Sequence, residues 1–301
     1  MTKIKVIIAL FLTIFFWSSA FIAIRIGLNS YSPGAMALLR SIIGSVCMFF
    51  IYKTLPKEGL LTKDKVSLCL IGAVGIGVYH TCLNYGEISV SAGIASFIIG
   101  LIPIFSILLS VIFLQERPAP FVWLGVFISM LGLFLLLTNE GETVEFTSGA
   151  LLILIATFSG AFHTVFLKKY LKSYSPLVVT TWVLWGGTIS LLVFFQDLVH
   201  ELPKARLIHT DTIIYLGIFP TAIAYSAWSY IIENMSVTEA SLYLYIMPII
   251  STLMGVIVLH EIPTKISILG CLTALAGAII SQLFYTFKLR NFRIDKTPEA
   301  V

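Results

Sequence analysis

The 301-residue sequence is 58% hydrophobic and only 11% charged, with a mean hydropathy of +0.99 and a formal net charge of +4. Soluble domains keep about a quarter of their residues charged, so this composition excludes an ordinary soluble protein and predicts contact with lipid. The cysteines follow neither a disulfide framework nor a metal-binding spacing, and all four fall in apolar stretches: Cys47, Cys69, Cys82 and Cys271. We expect no metal, no cofactor and no catalytic residue.

Apolar runs of about 20 residues, the length that a helix needs to cross about 30 Å of hydrocarbon, divide the chain. These runs must be helical, because lipid offers no hydrogen-bond partner to an open backbone and the alternation of a barrel strand is missing. The predicted fold class is therefore an all-α integral membrane protein with ten transmembrane helices. The predicted helices occupy residues 4–28, 34–53, 66–86, 92–114, 119–138, 149–169, 177–196, 212–232, 237–259 and 265–287.

Basic residues concentrate in the loops on the side of the N-terminus, and Lys and Arg favour the cytoplasmic side of a membrane. This asymmetry predicts a multi-pass protein of the cell (inner) membrane with both termini in the cytoplasm. The acidic loop NEGETVEF at 139–146 then faces outward. The N-terminal lysines and apolar run could pass for a signal peptide, but WSSAF at 17–21 recurs as FSGAF at 158–162, which assigns this segment to the mature chain.

One stretch of sequence is written twice. LQERPAPFVWLGVFISMLG at 114–132 and LHEIPTKISILGCLTALAG at 259–277 share a glutamate, a proline and two glycines at the same spacing. We therefore predict two five-helix repeats, 1–141 and 142–287, followed by a basic cytoplasmic tail at 288–301. Because five is odd, the second repeat enters the membrane from the opposite side, an arrangement typical of secondary transporters that bind substrate between inverted halves.

These residues resemble the ten-helix EamA-type branch of the drug/metabolite transporter superfamily. The resemblance covers nearly the whole chain and rests on WSSAF in the first helix, an arginine in the second, and the doubled L-x-E-x-P corner with its spaced glycines. It implies a basket of two five-helix halves around a central cavity, with helices 5 and 10 toward the edge. It leaves the substrate open, because similar proteins carry amino acids, other metabolites, drugs or nucleotide derivatives.

The doubled corners favour a structural role over substrate binding. Glu116 and Glu261 precede Pro118 and Pro263, which suit the first turn of a helix, and each carboxylate would meet the positive end of the helix that follows.

Two further prolines fall at equivalent depths in helices 4 and 9. Pro103 and Pro248 would bend these helices, and each bend could be a hinge of the central pocket or a static kink.

Charged and titratable residues within the membrane are candidates for function. Arg40 lies about 10 Å down helix 2, at ~1.5 Å per residue, and needs a partner there. Glu87 could form a structural ion pair with it or a gate, and a substrate carboxylate is the competing partner. His80 and His163 could bind substrate or carry a proton, or could simply hydrogen-bond to a neighbouring helix.

Aromatic residues are numerous on helices 1, 3, 6, 8 and 9, which suits a small amphipathic solute, although some of them belong to packing or to the membrane interface. The candidate substrate-binding residues are Trp17, Phe21, His80, Asn84, Ser96, Phe158, His163, Tyr225, Trp228 and Tyr243.

The sequence favours a secondary transporter that exports amino acids or related amphipathic compounds by alternating access. The alternatives are an intramembrane enzyme, for which the HE pair at 260–261 is a weak match because Pro263 breaks the required helix, and a solute channel, for which no filter motif is present. The expected partners are a small-molecule substrate and the lipid bilayer. We expect no nucleic acid and a monomer or weak homodimer.

Overall fold

The computed structural model describes residues 2–90, 92–137, 148–259, 265–266, 268–270, 272–277 and 279–281. Every regular element in these ranges is helical, which confirms the predicted all-α class. Within these ranges eight helices are long and apolar enough to cross a membrane, and two shorter apolar helices bring the number to ten. In chain order they are α1 Thr2–Gly27, α2 Pro33–Thr54, α3 Thr62–Gly86, α4 Ala92–Phe113, α5 Pro120–Leu137, α6 Ser148–Tyr170, α7 Pro176–Glu201, α8 Leu207–Asn234, α9 Val237–Val258 and α10 Ile268–Ser281.

Several residues named above lie outside these ranges. They are Glu261, Pro263, Cys271, the acidic loop 139–146 and the tail 288–301.

The motif SYSP occurs at residues 30–33 and again at 173–176, and it marks the start of a helix in both halves. Pro33 and Pro176 each stand in the first turn of their helix, where a missing N–H costs no hydrogen bond. The Ser32 hydroxyl accepts a hydrogen bond from the N–H of Ala35 at 3.4 Å and so caps α2.

Five of the spans are not continuous α-helix. Helices α3 and α8 each contain a π-helical segment near the middle, at Ala73–Val78 and Gly217–Ile223. The interruption in α4 separates Ala92–Ile99 from Ile102–Phe113. Helix α7 contains a 3₁₀ turn at Leu192–Phe194. Helix α9 begins with Val237–Leu242, continues through a 3₁₀ segment at Tyr243–Ile246 and an α segment at Met247–Met254, and runs into a π segment at Gly255–Leu259.

The two prolines lie near the middle of the spans α4 and α9, at the equivalent depths that the sequence predicts. Pro103 and Pro248 each stand in the first turn of a new helical segment, directly after the interruptions of α4 and α9. A turn at residues 100–101 precedes Pro103, and the 3₁₀ segment Tyr243–Ile246 precedes Pro248. The two irregularities still occupy equivalent places in the halves, and a hinge at either one stays a prediction.

Packing between the helices follows the repeat. Helix α1 packs on α8 and α9, and its counterpart α6 packs on α3 and α4. Helix α2 packs on the π segment of α8, and α7 packs in the same way on that of α3. Exchanging the first five helices for the last five therefore reproduces these neighbours, as two halves related by a two-fold axis require.

Helices α5 and α10 cross closely through small residues. A Cβ on Gly125 would lie 2.4 Å from the carbonyl oxygen of Gly277, and a Cβ on Gly132 would lie 2.6 Å from that of Gly270. The Ser129 hydroxyl donates to the carbonyl of Ala274 at 3.0 Å. The spaced glycines therefore let two backbones meet, which is the packing role that their spacing predicts.

The glutamate of the first corner binds a different helix from the one predicted. The Glu116 carboxylate accepts hydrogen bonds from the N–H groups of Val237 at 2.9 Å and Thr238 at 3.0 Å, and from the Thr238 hydroxyl at 2.6 Å. It therefore satisfies open donors at the start of α9, not of α5. The expectation of a structural carboxylate at a helix N-terminus agrees with these contacts, but the predicted partner was wrong because the contact joins the two halves.

Candidate functional site

A partly enclosed cavity lies at the centre of the bundle, where the two halves meet. The cavity has a volume of about 40 Å³. Its walls come from α1, α2, α3, α4, α6, α8 and α9, so both halves contribute. The lining residues are Trp17, Ala20, Phe21, Arg40, Gly75, Tyr79, His80, Leu83, Ser96, Ile99, Gly100, Ile102, Gly160, His163, Thr164, Tyr225, Leu244 and Met247.

Tyr225 contacts both buried histidines from α8. Its ring centroid lies 6.1 Å from that of His80 and 5.5 Å from that of His163, edge to face in both cases. Its hydroxyl is 3.4 Å from Nε2 of His80. Trp17 packs against the same tyrosine with centroids 5.2 Å apart. One wall of the cavity is therefore a cluster of aromatic and imidazole rings drawn from α1, α3, α6 and α8.

The π segment of α8 orients Trp17. The N–H of Ala224 donates to the carbonyl of Phe219, one residue further back than in an α-helix. That register leaves the carbonyl of Pro220 available, and it accepts the indole N–H of Trp17 at 3.1 Å. The indole is thus held by a backbone group that an unbroken α-helix would have used internally.

Arg40 presents its charge to the cavity. The residue is 2% exposed, and its Nε donates to the hydroxyl of Thr221 at 3.2 Å. Thr221 belongs to the same π segment of α8. The predicted ion pair of this guanidinium with the carboxylate of Glu87 stays a prediction.

Glu87 lines a separate recess. It ends α3, and its backbone carbonyl accepts a hydrogen bond from Nη1 of Arg25 at 2.9 Å. These two residues, with Asn29 and Pro33, line a wider and more open recess of about 590 Å³ at that end of the bundle. Arg25 and Glu87 therefore meet at this end of the span.

The two histidines are held differently. A Cβ on Gly75 would lie 2.4 Å from the Cβ of His163, so this glycine admits the histidine against α3. His80 is buried, and its Nδ1 has no hydrogen-bond partner within the described part of the chain. A buried polar atom without a partner is uncommon and calls for a ligand or a water.

Six of the ten predicted substrate-binding residues line the cavity, and four do not. The six are Trp17, Phe21, His80, Ser96, His163 and Tyr225.

The other four residues have different surroundings. Asn84 is buried and donates to the carbonyl of Pro33 at 3.0 Å, which ties α3 to the start of α2. Phe158 is 47% exposed on the outer surface and packs on Phe105. The Trp228 indole N–H donates to the hydroxyl of Thr164 at 3.2 Å, behind Trp17. Tyr243 is half-buried, and its helix lines the cavity with Leu244 and Met247 instead.

Sequence analysis missed the backbone part of the site. Neither Pro220 nor Gly75 was singled out, yet one supplies the carbonyl that holds Trp17 and the other makes room for His163. A proline inside an apolar run was the available signal for the first. Within the described ranges, no three side chains of His, Cys, Asp or Glu are grouped to hold a metal ion.

Known proteins are similar to this chain in sequence and in fold. The EamA-like transporter family matches residues 4–138 and 147–283. The "Uncharacterized transporter YdfC" of Bacillus subtilis is 38% identical over 281 residues, 93% of this chain and 92% of the relative. A "Probable terminal-alkyne amino-acid exporter" of Streptantibioticus cattleyicolor is 31% identical over 276 residues, 92% of this chain and 93% of the relative. A crystal structure that is 19% identical has a TM-score of 0.72 and covers 93% of this chain and 96% of its own, which shows a shared fold.

Proposed function

Because the chain belongs to the EamA-like transporter family, we propose that it is a secondary carrier that exports small amphipathic metabolites, amino acids among them, by alternating access. The observation that carries this proposal is the central cavity, whose walls come from both halves and combine aromatic rings with a few polar groups. Ligand sites for small molecules have this composition. Family membership also argues against an intramembrane enzyme.

Alternating access requires contacts that can close either end of the cavity, and equivalent contacts are present at both ends. Arg25, near the end of α1, donates to the carbonyl of Glu87 at the end of α3. Lys168, near the end of α6, donates to the carbonyls of Ile232 and Met235 at the end of α8. The helices are counterparts in the two halves, so each pair satisfies the open carbonyls of a helix C-terminus with a cation. We infer that each contact breaks when the carrier opens at that end of the cavity and forms again when that end closes.

Orientation and repeat boundaries belong to the same proposal. Most basic residues lie on the side of the N-terminus, which supports cytoplasmic termini in the cell membrane. We propose repeats at 1–141 and 142–287 and a basic cytoplasmic tail at 288–301. The Streptantibioticus cattleyicolor relative carries a name that specifies an amino-acid exporter, which favours amino acids as the first solutes to test.

The test is counterflow in reconstituted liposomes. Vesicles that contain the purified protein and one unlabelled amino acid are diluted into the same labelled amino acid, and the panel covers apolar and aromatic amino acids. A carrier accumulates label transiently and saturates with concentration. A flux that rises linearly with concentration and shows no counterflow would indicate a pore, and protein-free vesicles supply the background.

A further inference from the structure

Arg40 has the chemistry of a ligand-binding residue more than that of a structural charge. Its Nε donates a hydrogen bond to a neutral hydroxyl, that of Thr221. Among the described residues neither terminal nitrogen of the guanidinium donates a hydrogen bond, and the residue lines the cavity. Two parallel N–H donors of a guanidinium match a carboxylate in geometry and charge.

The charge of the cavity favours the same class of ligand. Arg40 is the one lysine or arginine of the described lining, which includes no aspartate or glutamate. A ligand ammonium group would meet aromatic faces, hydroxyls and imidazoles but no carboxylate of the described lining. Glu87 interacts with Arg40 electrostatically, but it lines the neighbouring recess at the end of α3. The site therefore presents a positive potential to its ligand.

The rest of the lining suits an apolar tail. The cavity has aromatic walls, formed by Trp17, Phe21, Tyr79 and Tyr225. Apolar groups that pack on such rings gain binding free energy from the buried area. Nδ1 of His80 is buried without a hydrogen-bond partner in the described structure, which leaves one further polar point for the head group of a ligand.

We propose that Arg40 binds the carboxylate of the transported solute, so that this site selects amphipathic carboxylates over amines of the same shape. The proposal rests on the proposed transport function and assigns its substrate class. The carboxylate would accept hydrogen bonds from the two terminal nitrogens of Arg40, while Nε stays bonded to Thr221. The solute's apolar part would lie against the aromatic wall. Thr221 is then a positioning residue, because it holds the guanidinium through Nε.

Two matched sets of solutes separate head group from shape. The first set is L-phenylalanine, 3-phenylpropionate and 2-phenylethylamine, and the second is L-leucine, 4-methylpentanoate and 3-methylbutylamine. Counterflow of labelled phenylalanine and of labelled leucine is measured with the other members of each set as inhibitors, and detergent-purified protein is melted with each compound. We expect the amino acids and acids to inhibit and to raise the apparent Tm, and the amines to do neither.

Variants test whether the guanidinium of Arg40 causes the preference for acids over amines. Arg40→Gln should weaken inhibition by the acids by about tenfold or more, since it removes charge-assisted hydrogen bonds. Arg40→Lys should recover part of that loss, and Thr221→Val should give an intermediate loss. Arg206→Gln removes an exposed arginine of the loop before α8 and serves as the matched control. The apparent Tm of each unliganded variant reports folding.

The outcomes separate the two proposals. If neither labelled amino acid shows counterflow, the transport proposal fails and this inference fails with it. If counterflow occurs but the amines inhibit as well as the acids, Arg40 does not bind the carboxylate and only this inference is overturned. A folded Arg40→Gln protein that keeps its preference for acids leads to the same conclusion, and if Arg40→Gln does not fold, loss of the preference in Thr221→Val decides.

Discussion

Gly186 of α7 packs directly against the backbone of Cys69 in α3. A Cβ on this glycine would lie 2.2 Å from the carbonyl oxygen of Cys69 and 2.3 Å from its Cα. Backbone atoms cannot move aside as the end of a flexible side chain can. This contact joins one half of the protein to the other, so the approach of the two halves depends on the absence of a side chain at this position.

We predict that Gly186→Ala destabilises the protein by about 1–3 kcal/mol or more, because the added methyl group forces α3 and α7 apart. The measurement is the apparent Tm and the yield of monodisperse protein in detergent. Gly59→Ala is the control, since nothing lies within 4 Å of the Cβ it would add. Equal melting temperatures of the two variants would contradict the close approach.

The carboxylate of Glu116 carries a second prediction. Glu116→Gln replaces a charge that accepts three hydrogen bonds from Val237 and Thr238 at the start of α9. We expect a loss of about 1–3 kcal/mol, the range for hydrogen bonds to a charged group. Glu233→Gln, at an exposed position, should leave the thermal unfolding curve in place. A Glu116→Gln curve that coincides with wild type would show that the cap does not stabilise α9.

A third prediction concerns the end of the bundle that Lys168 closes. Lys168→Met keeps the apolar stem and removes the ammonium group that binds the carbonyls of Ile232 and Met235. We expect the carbonyls at the end of α8 to become solvated and that end to open more often. Maleimide labelling of a cysteine placed at Thr164, which lines the cavity, should then become faster. Lys172→Met, at an exposed residue beyond α6, is the control, and unchanged labelling would argue against a closing contact.

The two prolines at the interruptions of α4 and α9 give a fourth prediction. If they act as hinges, Pro103→Ala and Pro248→Ala should slow counterflow while the apparent Tm stays near that of wild type. Alanine can extend the helix through the interruption, which stiffens the span. Exchange rates equal to wild type in both variants would leave the irregularities as static kinks.

The sequence by itself determined the number and kind of the spans. Each apolar run has the length of a bilayer crossing, and a backbone in lipid must satisfy its own hydrogen bonds. Each helix can therefore be predicted from its own segment of sequence. The duplicated corner and the SYSP motif are local as well, and they mark equivalent helices in the two halves. The residues that distinguish the halves, Trp17, Arg40 and His163, meet at the central cavity.

The tertiary structure alone decided which side chains face one another. A helix turns by about 100° per residue, so the extra residue of a π turn changes the face that all later residues present. The π segments of α3 and α8 leave no clear trace in the hydrophobic pattern, yet they place Thr221 beside Arg40 and free the Pro220 carbonyl for Trp17. Phe158 looked equivalent to Trp17 in sequence but lies on the outer surface. Glu116 found its partners more than a hundred residues away, because packing of the two halves brings the start of α9 beside the α4–α5 corner.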